Sequence, residues 1–106
     1  MVNTFKQHMA ETYSHNELAD MANHGANAGH HGLIWTADVL ALYTAHSAAL
    51  HEILAEYKDN TGEFPSYVTQ FLDDVEQFQS AVVYFAAEWV AYELTQGEYQ
   101  EQASEA

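Results

Sequence analysis

The chain has 106 residues, which suits one domain, and no cysteine, so disulfide scaffolds, zinc-thiolate sites and thiol nucleophiles are excluded. Sixteen acidic residues face two lysines and no arginine, giving a formal net charge of −14 at pH 7. Duplex DNA and anionic membranes are not expected partners, because both are bound through lysine and arginine contacts to phosphate. Basic surfaces are the expected partners, although the same charge also serves solubility alone.

The chain carries no recognisable targeting or membrane segment. Residues 1–6 lack the basic and apolar regions of a secretory signal. The longest apolar run, residues 81–87, is far shorter than the roughly 18 residues of a membrane span. We therefore expect a cytoplasmic protein.

The first half of the chain predicts two short helices and a loop. Apolar residues at helical spacing predict a first helix over residues 3–13. Ser14 and Glu17 form a capping box, which predicts a second helix from residue 15 to about His24. Three glycines lie within residues 25–32, and this segment is predicted to be a loop.

A long third helix is predicted from residues 34–36 to about Asp59. Its apolar seam repeats at intervals of three and four residues, as in a helix that packs along a partner. The seam consists of Val39, Tyr43, His46, Leu50, Ile53 and Tyr57. A lone histidine on such a seam is typical of a hydrogen-bonded core residue.

A short helix over residues 66–72 and a second long helix are predicted next. Asp73 and Asp74 are capping residues for this long helix, although one unbroken helix over residues 66–96 is an alternative. The seam of the second long helix consists of Val75, Phe78, Val82, Phe85, Trp89 and Tyr92.

These elements predict an all-α fold. No stretch alternates with period two for long enough to form a strand. We expect a compact helical bundle of about four to five helices with two long amphipathic helices. Residues 1–97 form its single domain, and residues 98–106 are expected to be a polar, frayed tail.

Catalytic motifs are missing from the chain. It contains no H-E-x-x-H, G-x-G-x-x-G or G-x-x-x-x-G-K-[ST] sequence. Glu88, beside Phe85 and Trp89, is the one candidate for acid–base chemistry, but a glutamate on a helix flank usually faces water. We predict neither catalytic residues nor a cofactor, and expect a binding protein rather than an enzyme.

A metal site is an alternative that the histidines raise. Asp20 and His24 lie four residues apart, His30 and His31 follow in the glycine loop, and Asp38 lies just beyond. Imidazole and carboxylate groups suit zinc, nickel or iron. The spacing matches no known metal motif, so we predict no resident metal and keep the site as a hypothesis.

Acidic residues form two groups that suit a basic partner. Glu52, Glu56 and Asp59 are predicted to share one face of the third helix, about 6 Å and 4.5 Å apart along its axis. This spacing resembles that of phosphates along a nucleic-acid strand, although the solvated face of an ordinary helix has the same pattern. Asp73 and Asp74 form the second group, which helix capping also explains.

Aromatic and histidine residues near the glycine loop form a different candidate site. His30, His31, Trp35 and Tyr67 are candidates for stacking on the bases of a single strand. The net charge opposes this role, because strand binding also needs cationic contacts to phosphate.

Part of the sequence resembles a small uncharacterised helical domain common in phage genomes. The resemblance lies between Leu18 and Tyr57, in Asn-His-Gly at 23–25, Gly-Leu-Ile-Trp at 32–35, and then Asp38 and Tyr43. Here Trp35 and Thr36 replace a pair of aromatic residues. The resemblance implies phage or mobile-element ancestry and no particular activity.

In size, acidity and helical content the chain is also similar to small phage-encoded anti-CRISPR proteins, and to one that blocks the type I-E system. That resemblance implies a host bacterial cytoplasm and a Cascade subunit, the Cas3 nuclease or the displaced DNA strand of the R-loop as partner. It transfers no functional residue, because these inhibitors share no motif. The alternative is a DNA-mimic antirestriction or other host-takeover protein, and a monomer or a homodimer suits either.

Overall fold

A computed structural model of the protein describes residues 3–24 and 36–105, and the side chains of residues 3–24 and 38–96. The described residues form five helices and no strand, which confirms the all-α prediction. The helices are α1 (Thr4–Thr12), α2 (His15–His24), α3 (Thr36–Thr61), α4 (Ser66–Thr69) and α5 (Val75–Glu105). The predicted glycine loop lies outside the described residues.

Side-chain caps begin the first two helices. The Asn3 side chain accepts hydrogen bonds from the backbone N–H groups of Phe5 and Lys6, at 3.0 and 3.2 Å. The predicted capping box is confirmed: the Ser14 N–H donates to Glu17 Oε1 at 2.9 Å, and the Glu17 N–H donates to Ser14 Oγ at 3.2 Å. These bonds satisfy backbone donors that lack partners within a helix.

Helix α3 is bent at a histidine that α1 contacts. His46 has non-helical dihedral angles, φ −124° and ψ 20°. Thr4 Oγ1 lies 3.1 Å from His46 Nδ1, and Asn3 Nδ2 donates to the Ala49 carbonyl at 3.0 Å. His46 is therefore hydrogen-bonded, as its place on the seam predicted, but it is half-buried and lies outside the buried core.

The segment between the long helices folds as two separate elements. Gly62, with φ 90°, ends α3 and donates its N–H to the Lys58 carbonyl at 2.7 Å. The next helix, α4, is one turn long and stops before Leu72, so it is shorter than predicted. Asp74 Oδ1 then accepts the Gln77 N–H at 3.1 Å and caps α5, which settles the open choice in favour of a helix break.

Helix α5 is the central helix, because it packs against each of the other four. Its buried face consists mainly of small residues, which allow neighbouring helices to approach closely from more than one side. They are Ala81, Val82, Val83, Ala86, Ala87, Val90 and Ala91. Helices α1 and α2 bury Phe5, Met9, Leu18 and Met21 in the same core.

The predicted seam is confirmed for α3 and wrong at both ends of α5. On α3, Val39, Leu50 and Ile53 are fully buried. On α5, Val75 is 70% exposed and Tyr92 54% exposed. The small face of α5 occupies the core, so its larger side chains lie on the flank or in solvent.

The C-terminal segment is helical in this structure. Helix α5 continues through Gly97 to Glu105, beyond residue 96, where the alternative helix over residues 66–96 would end. Glutamate, glutamine and alanine favour helix, and one glycine costs only about 1 kcal/mol. None of the described helices combines the length and apolar character that a membrane crossing requires.

Candidate functional site: an acidic surface and an aromatic groove

The predicted acidic row on α3 is exposed along its length. Glu52, Glu56 and Asp59 all face solvent on the half of α3 that follows the bend. The middle carboxylate is charge-paired, because Lys6 Nζ lies 3.4 Å from Glu56 Oε2. The two ends of the row, Glu52 and Asp59, carry its uncompensated charge.

Lys6 ties α1 to both long helices. Its Nζ also lies 3.1 Å from Glu93 Oε1 on α5. Burial lowers the pKa of Lys6, but the nearby carboxylates of Glu93 and Glu56 outweigh burial and raise the pKa. Lys6 therefore stays charged, and its ion pairs connect α1 to α3 and α5.

The second lysine is also engaged. Lys58 Nζ lies 4.6 Å from the centroid of the Phe64 ring, within the range of a cation–π contact. Among the described carboxylate residues, all but Asp20 and Glu93 are exposed. The surface is consequently acidic with almost no basic interruption.

The second acidic group lies on the turn between α4 and α5. Asp73 and Asp74 are both exposed, and Asp74 caps α5 through the bond to Gln77 described above. The capping role explains Asp74 without a partner. Asp73 has an exposed side chain that is available to a binding partner.

The candidates for strand stacking fall mostly outside the described residues. His30, His31 and Trp35 are among those not described. Tyr67 is 37% exposed and packs edge-on against Phe71, with ring centroids 6.3 Å apart. The described side chains thus place one of the four candidates at the surface.

Of the residues proposed as metal ligands, one pair lies close together in the described part of the chain. His24 Nε2 lies 4.0 Å from Asp20 Oδ1 on α2, and Asp38 is exposed near the start of α3. His30 and His31 lie outside the described residues. Within the described part of the chain, no three histidine, aspartate or glutamate residues are grouped so as to hold a metal ion.

A groove of about 310 Å³ lies between α2 and α5, and we call it the Glu88 groove. Its described lining residues are Ala22, Phe85, Glu88, Trp89 and Tyr92. The sequence had indicated Glu88, Phe85 and Trp89 together. It gave no sign of Ala22, which comes from a different helix, and it placed Tyr92 in the core.

Aromatic packing holds two walls of the Glu88 groove in place. The rings of Phe85 and Trp89 are stacked, with centroids 6.2 Å apart and an angle of 22° between their planes. Tyr57 of α3 meets both edge-on, at 5.1 Å from Phe85 and 5.6 Å from Trp89. These geometries are favourable for aromatic pairs, so the walls are pre-formed.

Glu88 stands at this groove with its side chain exposed to solvent. Desolvation by the surrounding atoms nevertheless raises the pKa of its carboxyl group above the ordinary value. Among the described lining residues it carries the only carboxyl group. The arrangement suits a cation held between a carboxylate and aromatic rings.

Comparison with known proteins places the chain in one family. Residues 2–101 match the model of a domain of unknown function, DUF7222. The chain belongs to the DUF7222 family. The match covers α1 to α4 and α5 as far as residue 101, so the family domain corresponds to the bundle described above. No curated protein and no solved structure matches the chain.

Proposed function

We propose that this protein is a phage-encoded, non-enzymatic inhibitor of type I-E CRISPR interference that acts in the bacterial cytoplasm. In this proposal it binds a basic surface of Cascade or of the Cas3 nuclease. The observation that carries the binding mode is the acidic surface with both lysines already engaged. The choice of target rests on the resemblance to small anti-CRISPR proteins.

Charge complementarity supplies the physical mechanism. Proteins that handle nucleic acid present lysine and arginine to phosphate, and an acidic domain competes for those groups. Glu52, Asp59 and Asp73 are exposed carboxylates with which the protein would do so. The net charge of −14 also speeds encounter with a basic surface at low salt.

Of the three possible points of attack, the charge supports two. The DNA-entry surface of Cascade and the Cas3 docking site are protein surfaces that an acidic domain can cover. Binding to the displaced strand of the R-loop requires cationic groups, and Lys6 and Lys58 are both engaged within the protein.

The test is an ordered-addition native gel with purified type I-E Cascade, Cas3 and labelled target DNA. Added before DNA, the protein is expected to prevent target binding if it covers the entry surface. Added after DNA, it is expected to block cleavage by Cas3 if it covers the docking site. Normal binding and cleavage at large excess in both orders would falsify the proposal.

An antirestriction protein that mimics DNA is the alternative, favoured by the phosphate-like spacing of Glu52, Glu56 and Asp59. However, Lys6 neutralises the middle member of that row, which weakens the imitation of a continuous phosphate strand. Inhibition of a restriction endonuclease, with CRISPR interference unaffected, would support this alternative instead.

A further inference from the structure

The Glu88 groove combines two features that together suit one class of ligand. It presents aromatic ring surface from Phe85, Trp89 and Tyr92, and it places one carboxylate beside those rings. The groove exists because Ala22 of α2 is small and leaves room opposite the large side chains of α5. Such a pocket has a definite ligand chemistry.

Ring surface and a carboxylate together favour an organic cation. The face of an aromatic ring attracts a cation within about 6 Å of its centroid. A guanidinium group suits the groove better than an ammonium group, because its plane stacks on a ring while its N–H groups donate to a carboxylate. In this groove the exposed ring of Tyr92 offers the stacking surface, and the Glu88 carboxylate offers the hydrogen-bond acceptor.

A lysine or arginine side chain in this groove would have to come from another molecule. The chain has no arginine, and its two lysines have partners elsewhere. Lys6 binds Glu56 and Glu93, and Lys58 lies over Phe64. No lysine or arginine side chain of this protein is therefore available to fill the groove.

We propose that the Glu88 groove receives an arginine side chain from the basic surface of the target protein. The inference rests on the proposed function, and it adds one specific anchoring contact to a surface otherwise recognised by charge. The guanidinium stacks on the exposed ring of Tyr92 and donates hydrogen bonds to the Glu88 carboxylate. Its aliphatic stem lies along the apolar walls.

The state of Glu88 without a partner supports this assignment. Desolvation raises the pKa of this carboxyl group, so the ionised form loses part of its hydration although the side chain is exposed. Nothing described in the fold compensates for that position. A bound guanidinium group would stabilise the ionised carboxylate, and such unfavourably placed charges are typical of binding sites.

The groove is tested directly with N-acetyl-arginine amide as the probe. The side-chain N–H signal of Trp89, assigned with Trp89→Phe, is followed by NMR at low salt during titration. We expect saturable shifts with a Kd on the order of millimolar, as for a single side chain. N-acetyl-lysine amide is expected to bind more weakly because it cannot stack and donate in the same way.

Two variants and a control define the contact. Glu88→Gln, a change of similar shape at an exposed position, is expected to weaken arginine binding about tenfold. Tyr92→Ala, also at an exposed position, is expected to weaken it about fivefold. Glu52→Gln removes the same charge from α3 and is expected to leave binding unchanged. Unmoved Trp89 signals, or equal binding by Glu88→Gln and wild type, overturn the inference.

The outcome is separable from that of the proposed function. If arginine binds at the groove but the protein has no effect on Cascade or Cas3, the binding site is supported and the proposed target is contradicted. If the protein inhibits interference but arginine does not shift the Trp89 signal, the proposed function is supported and the arginine contact is contradicted. If both stand, Glu88→Gln is expected to reduce inhibition more than Glu52→Gln does.

Discussion

At the scale of single residues, the Glu88 carboxyl group makes stability depend on pH. Its pKa is raised in the fold, so protonation favours the folded state. That stabilisation is complete below the unfolded value of about 4.5 and is lost as pH rises through the folded pKa. At pH 7 the ionised carboxylate therefore lowers the free energy of unfolding, by a small amount because the side chain is exposed.

We predict that Glu88→Gln melts at a higher temperature than wild type at pH 7, and that the difference disappears by about pH 4. Thermal melts followed by circular dichroism measure both. Glu52→Gln is the matched control, because it relieves the same general repulsion without the desolvated position. Equal gains from the two variants would show that net charge alone is responsible.

His46 gives a second pH dependence of opposite sign. Burial, and then the charge of nearby His8, lowers the pKa of His46. The ring lies 5.3 Å from that of His8 and 5.7 Å from that of Phe5, and its Nδ1 contacts Thr4. Unfolding frees the ring to take up a proton, so stability falls as pH drops through about 6.5 towards the lowered pKa.

We predict that wild type loses more unfolding free energy between pH 7.5 and 5.5 than His46→Gln does. Urea titrations at a series of pH values give this comparison. His51→Gln is the control, because it removes an imidazole of the same helix that contacts Tyr43. A His46→Gln curve parallel to wild type would contradict the assignment.

At the scale of elements, the start of α1 depends on a residue that also contacts α3. Asn3 caps α1 and donates to the Ala49 carbonyl beyond the bend. We predict that Asn3→Ala destabilises the protein by about 2 kcal/mol, the combined effect of a cap and a hydrogen bond. Asn16→Ala, on the exposed side of α2, should change the unfolding free energy by less than about 0.5 kcal/mol.

Helix α5 is sensitive to larger side chains, because its buried face is closely packed. Ala87 is fully buried where the other helices pack around the central one. We predict that Ala87→Leu costs about 1–3 kcal/mol through overpacking. Ala55→Leu adds the same atoms on the exposed side of α3 and should be nearly neutral, as chemical denaturation can measure.

Some features of the helices were predictable from the sequence, and others were not. Helix starts at Ser14 and Asp74 were predictable, because capping is decided by residues a few positions apart. The central place of α5 was not. A repeat of large apolar residues suggested the buried face, whereas the alanines on the other faces decide how closely helices approach.

The same reasoning applies to the candidate site. Glu88, Phe85 and Trp89 were indicated together because they lie within five residues of one another. Ala22 and Tyr57 come from other helices, and only tertiary packing brings them to the groove. The exposure of the acidic row on α3 followed from helical periodicity, but the contact between Lys6 and Glu56 did not, since fifty positions separate them in the chain.

At the scale of the whole molecule, the surface charge is the property that the proposed function uses. Recognition by charge is strongest at low salt and is screened within about 8 Å at physiological ionic strength. We predict that inhibition weakens several-fold between 50 and 200 mM salt. Repeating the inhibition assay across that range, with the salt response of Cascade alone subtracted, measures this. Inhibition independent of salt would place the binding energy in apolar contacts instead.

The most direct measurement compares two double variants in the ordered-addition gel. Glu52→Lys with Asp59→Lys reverses the uncompensated ends of the row on α3. Glu11→Lys with Glu76→Lys makes the same change in net charge on other exposed parts of the molecule. The account predicts that the first pair loses inhibition at least about tenfold and the second pair largely keeps it. Equal inhibition by both pairs and wild type would contradict recognition through this acidic surface.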